Sequence, residues 1–226
     1  MTAARLSRNY YTSHPAFFRQ IPWQCLRRLR NRLKSVQMGS NDNGQGQGNQ
    51  FALVSYIAPD PLGSFLDHLR LELAPECRPH AHVTLLPPRY LCGPVERAES
   101  ELREAIANFH AFEVELGEVG LFAATDVVYI EVASGYRELC EMHSALNKGT
   151  VHFVEQYSFH PHITLAQKMP KEVVSANWKA SREAWQAWAG PRKFRVDQLV
   201  FVENLMDDWK DLARFPLVHE PAELVR

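Results

Sequence analysis

Apolar and polar residues follow the same order of patterns twice along the chain. The first series predicts a strand at 51–57, a helix from Pro61, a strand around His82 that Pro87-Pro88 should end, a helix after Pro94 and a strand at 112–121. The second series predicts a strand at 127–133, a helix from Tyr136, a strand from Phe159, a helix after Pro170 and a strand at 194–202, with a short strand near 215–218. This repetition predicts two similar lobes, at about 51–121 and 122–220.

The middle strand of each series carries the same five-residue pattern. The first copy is His80-Ala-His82-Val-Thr84 and the second is His160-Pro-His162-Ile-Thr164. Side chains two apart lie on one face of a strand, so each copy places histidine beside threonine and turns Val83 or Ile163 into the core. A single buried histidine is usually structural, but recurrence in the same strand context favours a functional pair. Two imidazoles that titrate near neutral pH and two hydroxyl donors suit acid–base chemistry on a phosphodiester.

Length and composition set the class of protein. The chain has 226 residues, 46% of them hydrophobic, and a formal net charge of −1. This predicts one soluble globular domain or two small lobes, which we expect to be a monomer. No apolar run is long enough for a membrane span. The cysteines lack C-x-x-C spacing and are interpreted as free thiols in a reducing compartment, which predicts a cytoplasmic location; they are Cys25, Cys77, Cys92 and Cys140.

Charge is distributed unevenly along the chain. No acidic residue precedes Asp42, whereas eight arginines and lysines lie between Arg5 and Lys34. The remaining sequence has 17 basic residues (25 − 8) against 26 acidic ones and carries about −9. An acidic body argues against tight, nonspecific binding of long nucleic acids.

The first fifty residues, 1–50, allow three interpretations. Their Arg-rich, acid-free composition suits a transit peptide or another dispensable leader, and it also suits an arm that binds nucleic acid. Alternatively, translation begins at Met38, directly before the regular pattern. The Gly/Asn/Gln-rich stretch from Ser40 to Gln50 predicts a flexible linker.

The paired motifs resemble those of the two-histidine (2H) phosphoesterase superfamily. The resemblance rests on His82-Val-Thr84-Leu, His162-Ile-Thr164-Leu and the surrounding strand–helix repeats, and it covers roughly Phe51 to Leu217 within a domain at 51–226. The nearest branch is similar to 2′-5′ RNA ligases and cyclic phosphodiesterases. The resemblance implies an α+β, bilobal fold, in which two pseudo-symmetric ferredoxin-like halves with antiparallel sheets surround a central cleft.

The resemblance also implies an activity and a site. It implies a metal-free active site, without a cofactor, that acts on 2′,3′-cyclic phosphates, related cyclic nucleotides or RNA ends. The catalytic set at the matching positions is His82, Thr84, His162 and Thr164. The family often has an arginine shortly after the second motif, where this chain has Gln167 and Lys168. The charge that would pair with the phosphate is therefore displaced or replaced.

The mechanism follows from the available groups. One neutral histidine would take a proton from water, the other would give a proton to the departing ribose oxygen, and the threonine hydroxyls would donate to the nonbridging phosphate oxygens. His82 and His162 would exchange these roles between hydrolysis and the reverse reaction, 2′-5′ RNA ligation, and the sequence does not assign which of them begins as the base. We expect lobe symmetry to place them on opposite walls of the cleft.

Further residues are candidates for substrate contacts. His80 and His160 share the catalytic strand face and could line the cleft, orient the reactive rings or bind metal. Arg89 and Lys168 follow the two motif strands and could neutralise phosphate, with a solvated surface charge as the alternative for each. Phe122 and Tyr129 could stack on a base, or simply pack in the core.

Two other functions remain open at this stage. A metal-dependent hydrolase could use the His-x-His pairs, although neither motif strand contains Asp or Glu. A protein of the same fold could bind a nucleotide or an RNA end without turning it over, although arginines would suit that task better than titrating histidines.

Overall fold

The computed structural model describes residues 49–75, 79–205 and 208–219, which form an eight-stranded sheet and four α-helices. The strands are β1 (Gln50–Tyr56), β2 (His82–Arg89), β3 (Phe112–Phe122), β4 (Val127–Ser134), β5 (His162–Ala166), β6 (Lys193–Val196), β7 (Gln198–Leu205) and β8 (Asp208–Pro216). The helices are α1 (Ser64–Leu73), α2 (Val95–Ile106), α3 (Tyr136–Leu146) and α4 (Lys171–Ala187). Nearly all of the leader and linker predicted for 1–50 lies outside the described residues.

The strand order is β6-β3-β4-β5-β2-β1-β7-β8, and all neighbouring strands pair antiparallel. The α+β class and the antiparallel pairing predicted from the sequence are confirmed. The two motif strands, β2 and β5, lie side by side at the centre of one continuous sheet. His82 and His162 are therefore on adjacent strands, at the junction between the two halves of this curled antiparallel sheet.

The two halves of the sheet interleave along the chain. The half around β2 contains β1, β7 and β8, whereas the half around β5 contains β4, β3 and β6. The expected division at about 51–121 and 122–220 therefore does not match the structure, because β3 joins the second half and the last two strands return to the first. The order of strands and helices does repeat along the chain, but the point where the repeat begins again is not the boundary between the two halves of the sheet.

One face of the sheet carries the main core. Alternate strand residues such as Leu53, Val83 and Ile163 are fully buried there against apolar residues from all four helices. The amphipathic helices supply matching stripes, for example Ala98, Leu102 and Ile106 on α2, at the spacing that turns one helix face inward. The motif residues lie on the opposite face of the sheet. None of the described helices is long and apolar enough to cross a membrane.

Three strand boundaries differ from the pattern-based predictions. β2 continues through Pro87 and Pro88 to Arg89, which pairs with Phe51 beyond a register shift. Proline is tolerated at this end of β2 because β2 pairs with β5 only at Val83. Residues Pro87 and Pro88 therefore need no N–H for a hydrogen bond to β5. The strand predicted at 194–202 is two strands, β6 and β7. The short strand expected near 215–218 is the longer β8, which pairs along β7.

Candidate functional site

The register of the central strand pair brings the four motif residues together. β2 and β5 pair through the buried residues Val83 and Ile163. On either side of this pair, the alternation along each strand turns His82 and Thr84 on β2, and His162 and Thr164 on β5, to the face opposite the core. The two histidines are therefore near neighbours on adjacent strands. Two imidazoles and two hydroxyls thus share one small area of the sheet.

The backbone orients both imidazoles in the same way. His82 Nδ1 lies 2.6 Å from the carbonyl oxygen of His80, and His162 Nδ1 lies 2.6 Å from that of His160. A carbonyl oxygen only accepts, so Nδ1 carries the proton in each neutral ring and Nε2 keeps its lone pair. Both histidines can therefore accept a proton at Nε2, or donate one from it once protonated.

Burial favours the neutral form of both histidines. His82 is 9% exposed, and burial, reinforced by the positive charge of Arg70, lowers its pKa to about 3. A positive charge on His162 lowers the pKa of His82 further, which indicates that the two rings interact. Burial also lowers the pKa of His162. The free protein therefore holds both rings largely unprotonated at neutral pH.

An aromatic wall flanks His82. Tyr56 lies across from His82 on β1 and meets its ring edge-on, with centroids 6.2 Å apart, while the Trp209 ring lies 4.7 Å from the histidine ring. The Tyr56 hydroxyl donates to Asp211 at 3.1 Å, and burial together with Asp211 raises the pKa of Tyr56. Both aromatic rings pack against a buried apolar strip, which consists of Ala52, Val54, Val200 and Val202.

A second aromatic wall flanks His162. Phe122 and Tyr129 stack with centroids 3.9 Å apart, and their edge-on contacts to the His162 ring are 5.0 and 5.3 Å. The Tyr129 ring lies over Gly120, where a Cβ would come within 2.5 Å of a ring carbon, so only glycine leaves room for it. Phe122 and Tyr129 thus lie beside the motif residues. Stacking on a base remains a prediction for both.

His80 and His160 contact the reactive histidines through their carbonyl groups. The His80 side chain is 80% exposed and its Nδ1 lies 2.7 Å from Asp67 on α1. The His160 ring meets Phe122, Tyr129 and Tyr136 edge-on at 5.3, 5.6 and 5.9 Å. Their predicted orienting role therefore has a structural basis in the two carbonyl groups, whereas a contact of either ring with substrate remains a prediction.

Arg89 is a structural residue, contrary to its prediction as a phosphate contact and to the alternative of a solvated surface charge. It is 2% exposed and donates to Glu155 and Asn147, both at 2.8 Å, and to the carbonyl oxygens of Pro87 and Val151. It also lies seven residues beyond His82 on the same strand, roughly 23 Å away. The sequence could not show this, because its partners come from a distant loop.

Lys168 is exposed in the turn after β5 with a left-handed backbone (φ 56°), and a contact with phosphate stays a prediction.

In the part of the chain that the structure describes, no group of three or more His, Cys, Asp or Glu residues is arranged to hold a metal ion. Within the described residues, neither His-x-His pair is thus joined by the further ligands that a metal site needs.

Solved structures with this arrangement of strands and helices define the class of fold. A structure described as a phosphoesterase matches with a TM-score of 0.51 at 19% identity, covering 76% of this chain and 99% of that one. Escherichia coli LigT in complex with 3′-AMP gives 0.53 at 17% identity, covering 75% and 98%. The protein TT0787 of Thermus thermophilus gives 0.53 at 16% identity, covering 76% and 100%. The chain therefore shares the fold of these phosphoesterase and LigT structures.

Sequence comparison specifies the family. The model of the 2′-5′ RNA ligase superfamily matches residues 58–208, and the chain belongs to this superfamily. Bacillus cytotoxicus has a relative named "Putative phosphoesterase Bcer98_0945", which is 34% identical over 97 residues. That alignment covers 39% of this chain and 56% of the relative, so the chain spans little more than half of the relative's length. The resemblance inferred from the two motifs is confirmed.

Three residues of the site were not identified from the sequence. Tyr56 could have been found, since it continues the alternation of Ala52 and Val54 at the end of a predicted strand. Trp209 lies on a strand that the apolar pattern did not predict. Asp67 has the appearance of an ordinary polar residue on the outer face of α1, because nothing in its spacing relates it to the first motif.

Proposed function

We propose that this protein is a metal-independent phosphoesterase that hydrolyses 2′,3′-cyclic phosphodiesters of nucleotides or RNA ends. The observation that carries the proposal is the pair of identically oriented imidazoles, each presenting Nε2 beside a threonine on the same sheet face. This set of groups provides a base, an acid and two hydroxyl donors around one phosphorus atom. Family membership supports the same chemistry.

We assign the base to His82 and the acid to His162. Burial and Arg70 keep His82 unprotonated, which is the form that a base requires. Its Nε2 takes a proton from water as the water oxygen bonds to phosphorus. The bond from phosphorus to one ribose oxygen breaks, and protonated His162 gives its Nε2 proton to that departing oxygen. One water is consumed, a phosphomonoester forms, and proton exchange with solvent restores both rings.

The remaining groups hold the phosphate and the nucleoside. Thr84 and Thr164 share the sheet face of the two histidines and can donate to the two nonbridging oxygens, whose negative charge grows in the transition state. The aromatic walls, Trp209 with Tyr56 and Phe122 with Tyr129, offer flat apolar surfaces on both sides of the pair. Such surfaces suit a base or a ribose. A solved LigT structure contains 3′-AMP, which supports a nucleotide substrate.

A substrate panel tests the function directly. The protein, treated exhaustively with EDTA, is incubated with the four 2′,3′-cyclic mononucleotides and with an oligoribonucleotide that ends in a cyclic phosphate. We expect one class to yield a phosphomonoester at an undiminished rate after chelation, since histidines supply both proton transfers. Restoration of activity only by added Zn²⁺ or Mn²⁺ would favour a metal-dependent hydrolase. Tight binding without product would favour a nucleotide carrier.

The pH dependence of kcat/KM should follow the lowered histidine pKa values. The base must be neutral and the acid protonated, which predicts a bell-shaped profile. Because burial lowers the pKa of His162 in the free protein, its protonated form is lost as pH rises through a value below 6.5. We expect the alkaline limb of kcat/KM in that range and an optimum on the acidic side. A rate that stays constant into the alkaline range would contradict the assignment of His162 as the acid.

A further inference from the structure

The two motifs differ in the peptide group whose carbonyl oxygen contacts each reactive histidine. In the first motif this peptide joins His80 to Ala81, and its N–H donates to the Asp67 carboxylate. In the second motif the corresponding peptide joins His160 to Pro161, and proline has no N–H. The motifs therefore look equivalent in spacing but not in hydrogen-bonding capacity.

The peptide between His80 and Ala81 links Asp67 to His82. Its N–H donates to Asp67 Oδ1, while its carbonyl oxygen, on the opposite side of the same planar group, lies 2.6 Å from His82 Nδ1. A carboxylate at the N–H end polarises the amide and makes its carbonyl a stronger acceptor, because consecutive hydrogen bonds strengthen one another. The negative charge of Asp67 is in this way relayed to the ring of His82.

Asp67 is itself held firmly in this position. Its other oxygen, Oδ2, lies 2.7 Å from His80 Nδ1, and Arg70 Nη1 lies 4.0 Å from Oδ1. The carboxylate is partly buried, with its side chain 28% exposed, so solvent screens its charge incompletely. The charge of Asp67 also raises the pKa of His82, against the larger effects of burial and Arg70.

We infer that Asp67 is a positioning residue that acts on His82 through the intervening peptide group, and that the second motif has no counterpart to this relay because Pro161 lacks an N–H. Asp67 fixes the Nδ1–H form of His82 and stabilises its imidazolium after proton uptake. The inference deepens the proposed function and rests on it for its kinetic part. Asp67 thus acts on only one of the two reactive histidines, His82, which is the one that accepts a proton.

The test combines kinetics with ¹⁵N NMR of the histidine rings in the full-length protein at neutral pH. The variants are Asp67→Ala, which removes the acceptor, and Asp67→Asn, whose amide oxygen can still accept from Ala81 but carries no charge. Glu72→Gln is the matched control, because Glu72 is an exposed acidic residue on the same helix that pairs with His68. Ala81→Pro removes the N–H and copies the second motif.

We expect Asp67→Ala to lower kcat on the order of 10- to 100-fold, the range for one lost hydrogen bond to a charged group, with KM changed less than about 3-fold. Asp67→Asn should lie between it and wild type, and Ala81→Pro should match Asp67→Ala. In the spectra, Asp67→Ala should mix the Nδ1–H and Nε2–H forms of His82 and leave His162 unchanged. Glu72→Gln should change neither quantity.

Three results would overturn the inference. One is unchanged His82 signals in Asp67→Ala, and another is an equal disturbance of His82 and His162. The third is a His80→Ala variant whose kcat falls as far as that of Asp67→Ala, since this result would assign the effect to the His80 ring and not to the peptide group. The NMR result needs no substrate. If the wild-type protein cleaves no phosphodiester, while Asp67→Ala still changes the signals of His82 alone, the proposed function is overturned and the relay is supported.

Discussion

Replacing either reactive histidine by glutamine should lower kcat on the order of 10²- to 10⁴-fold, the usual contribution of one acid or base group. Glutamine keeps a polar side chain at each position, so the fold should be retained. The double variant His82→Gln/His162→Gln should lose much less than the product of the two single losses, because the two groups act in one proton-transfer scheme. The exposed His68→Gln on α1 serves as the control and should turn over normally.

The two single variants should also separate base from acid. A phosphodiester with p-nitrophenolate as the leaving group does not need the acid, since this anion departs unprotonated. We expect the defect of His162→Gln to shrink on that substrate, while the defect of His82→Gln persists. Near-normal turnover in either variant, on the cyclic substrate, would remove that histidine from the mechanism. A reversed pattern with the activated ester would exchange the two roles.

Replacing Arg89 by methionine should destabilise the protein by about 3–5 kcal/mol, the effect of removing one partner from a buried ion pair. Arg89 is 2% exposed and pairs with Glu155 at 2.8 Å, so its loss leaves this largely buried carboxylate with only the His143 imidazole nearby, at 3.7 Å. Urea denaturation of the variant and of wild type measures the free energy of unfolding. KM and kcat of the folded variant should match wild type, because Arg89 lies far along β2 from the reactive pair.

A double variant serves as the matched control for Arg89. In Arg89→Met/Glu155→Leu no buried charge is left alone, and we expect it to regain part of the lost stability. If Arg89→Met instead raised KM at unchanged stability, Arg89 would be a substrate contact as the sequence first indicated. If the double variant were less stable than Arg89→Met, the Glu155 carboxylate would not be destabilising in the absence of Arg89, and the ion pair would not explain the effect of Arg89→Met.

The sequence predicted local features of this protein better than long-range ones. The two-residue period of a strand sufficed to place His82 with Thr84 and His162 with Thr164, since alternation is a property of neighbouring residues. The order of helices and strands followed from apolar periodicity for the same reason. The alignment of β2 against β5 through Val83 and Ile163 required the structure, because register is set by packing between strands.

Long-range pairing accounts for the errors. β8 has the sequence DWKDLARFP, in which most positions are at least partly exposed at the edge of the sheet, so it lacks the apolar alternation that marks a strand. Arg89 could be placed only by knowing that Glu155 folds against it. Asp67 is related to His82 only through the backbone of Ala81. In each case the partner lies on another element, and local sequence carries no signal for it.

The interleaved halves of the sheet determine when the reactive centre can be assembled during protein synthesis. β1 is the first described strand to be synthesised, and one of its edges stays open until β7 follows. Trp209, which lies against His82, arrives later still on β8. Such distant pairing slows folding and leaves a strand edge exposed to other nascent chains. The reactive centre is thus complete only after β8 has been translated.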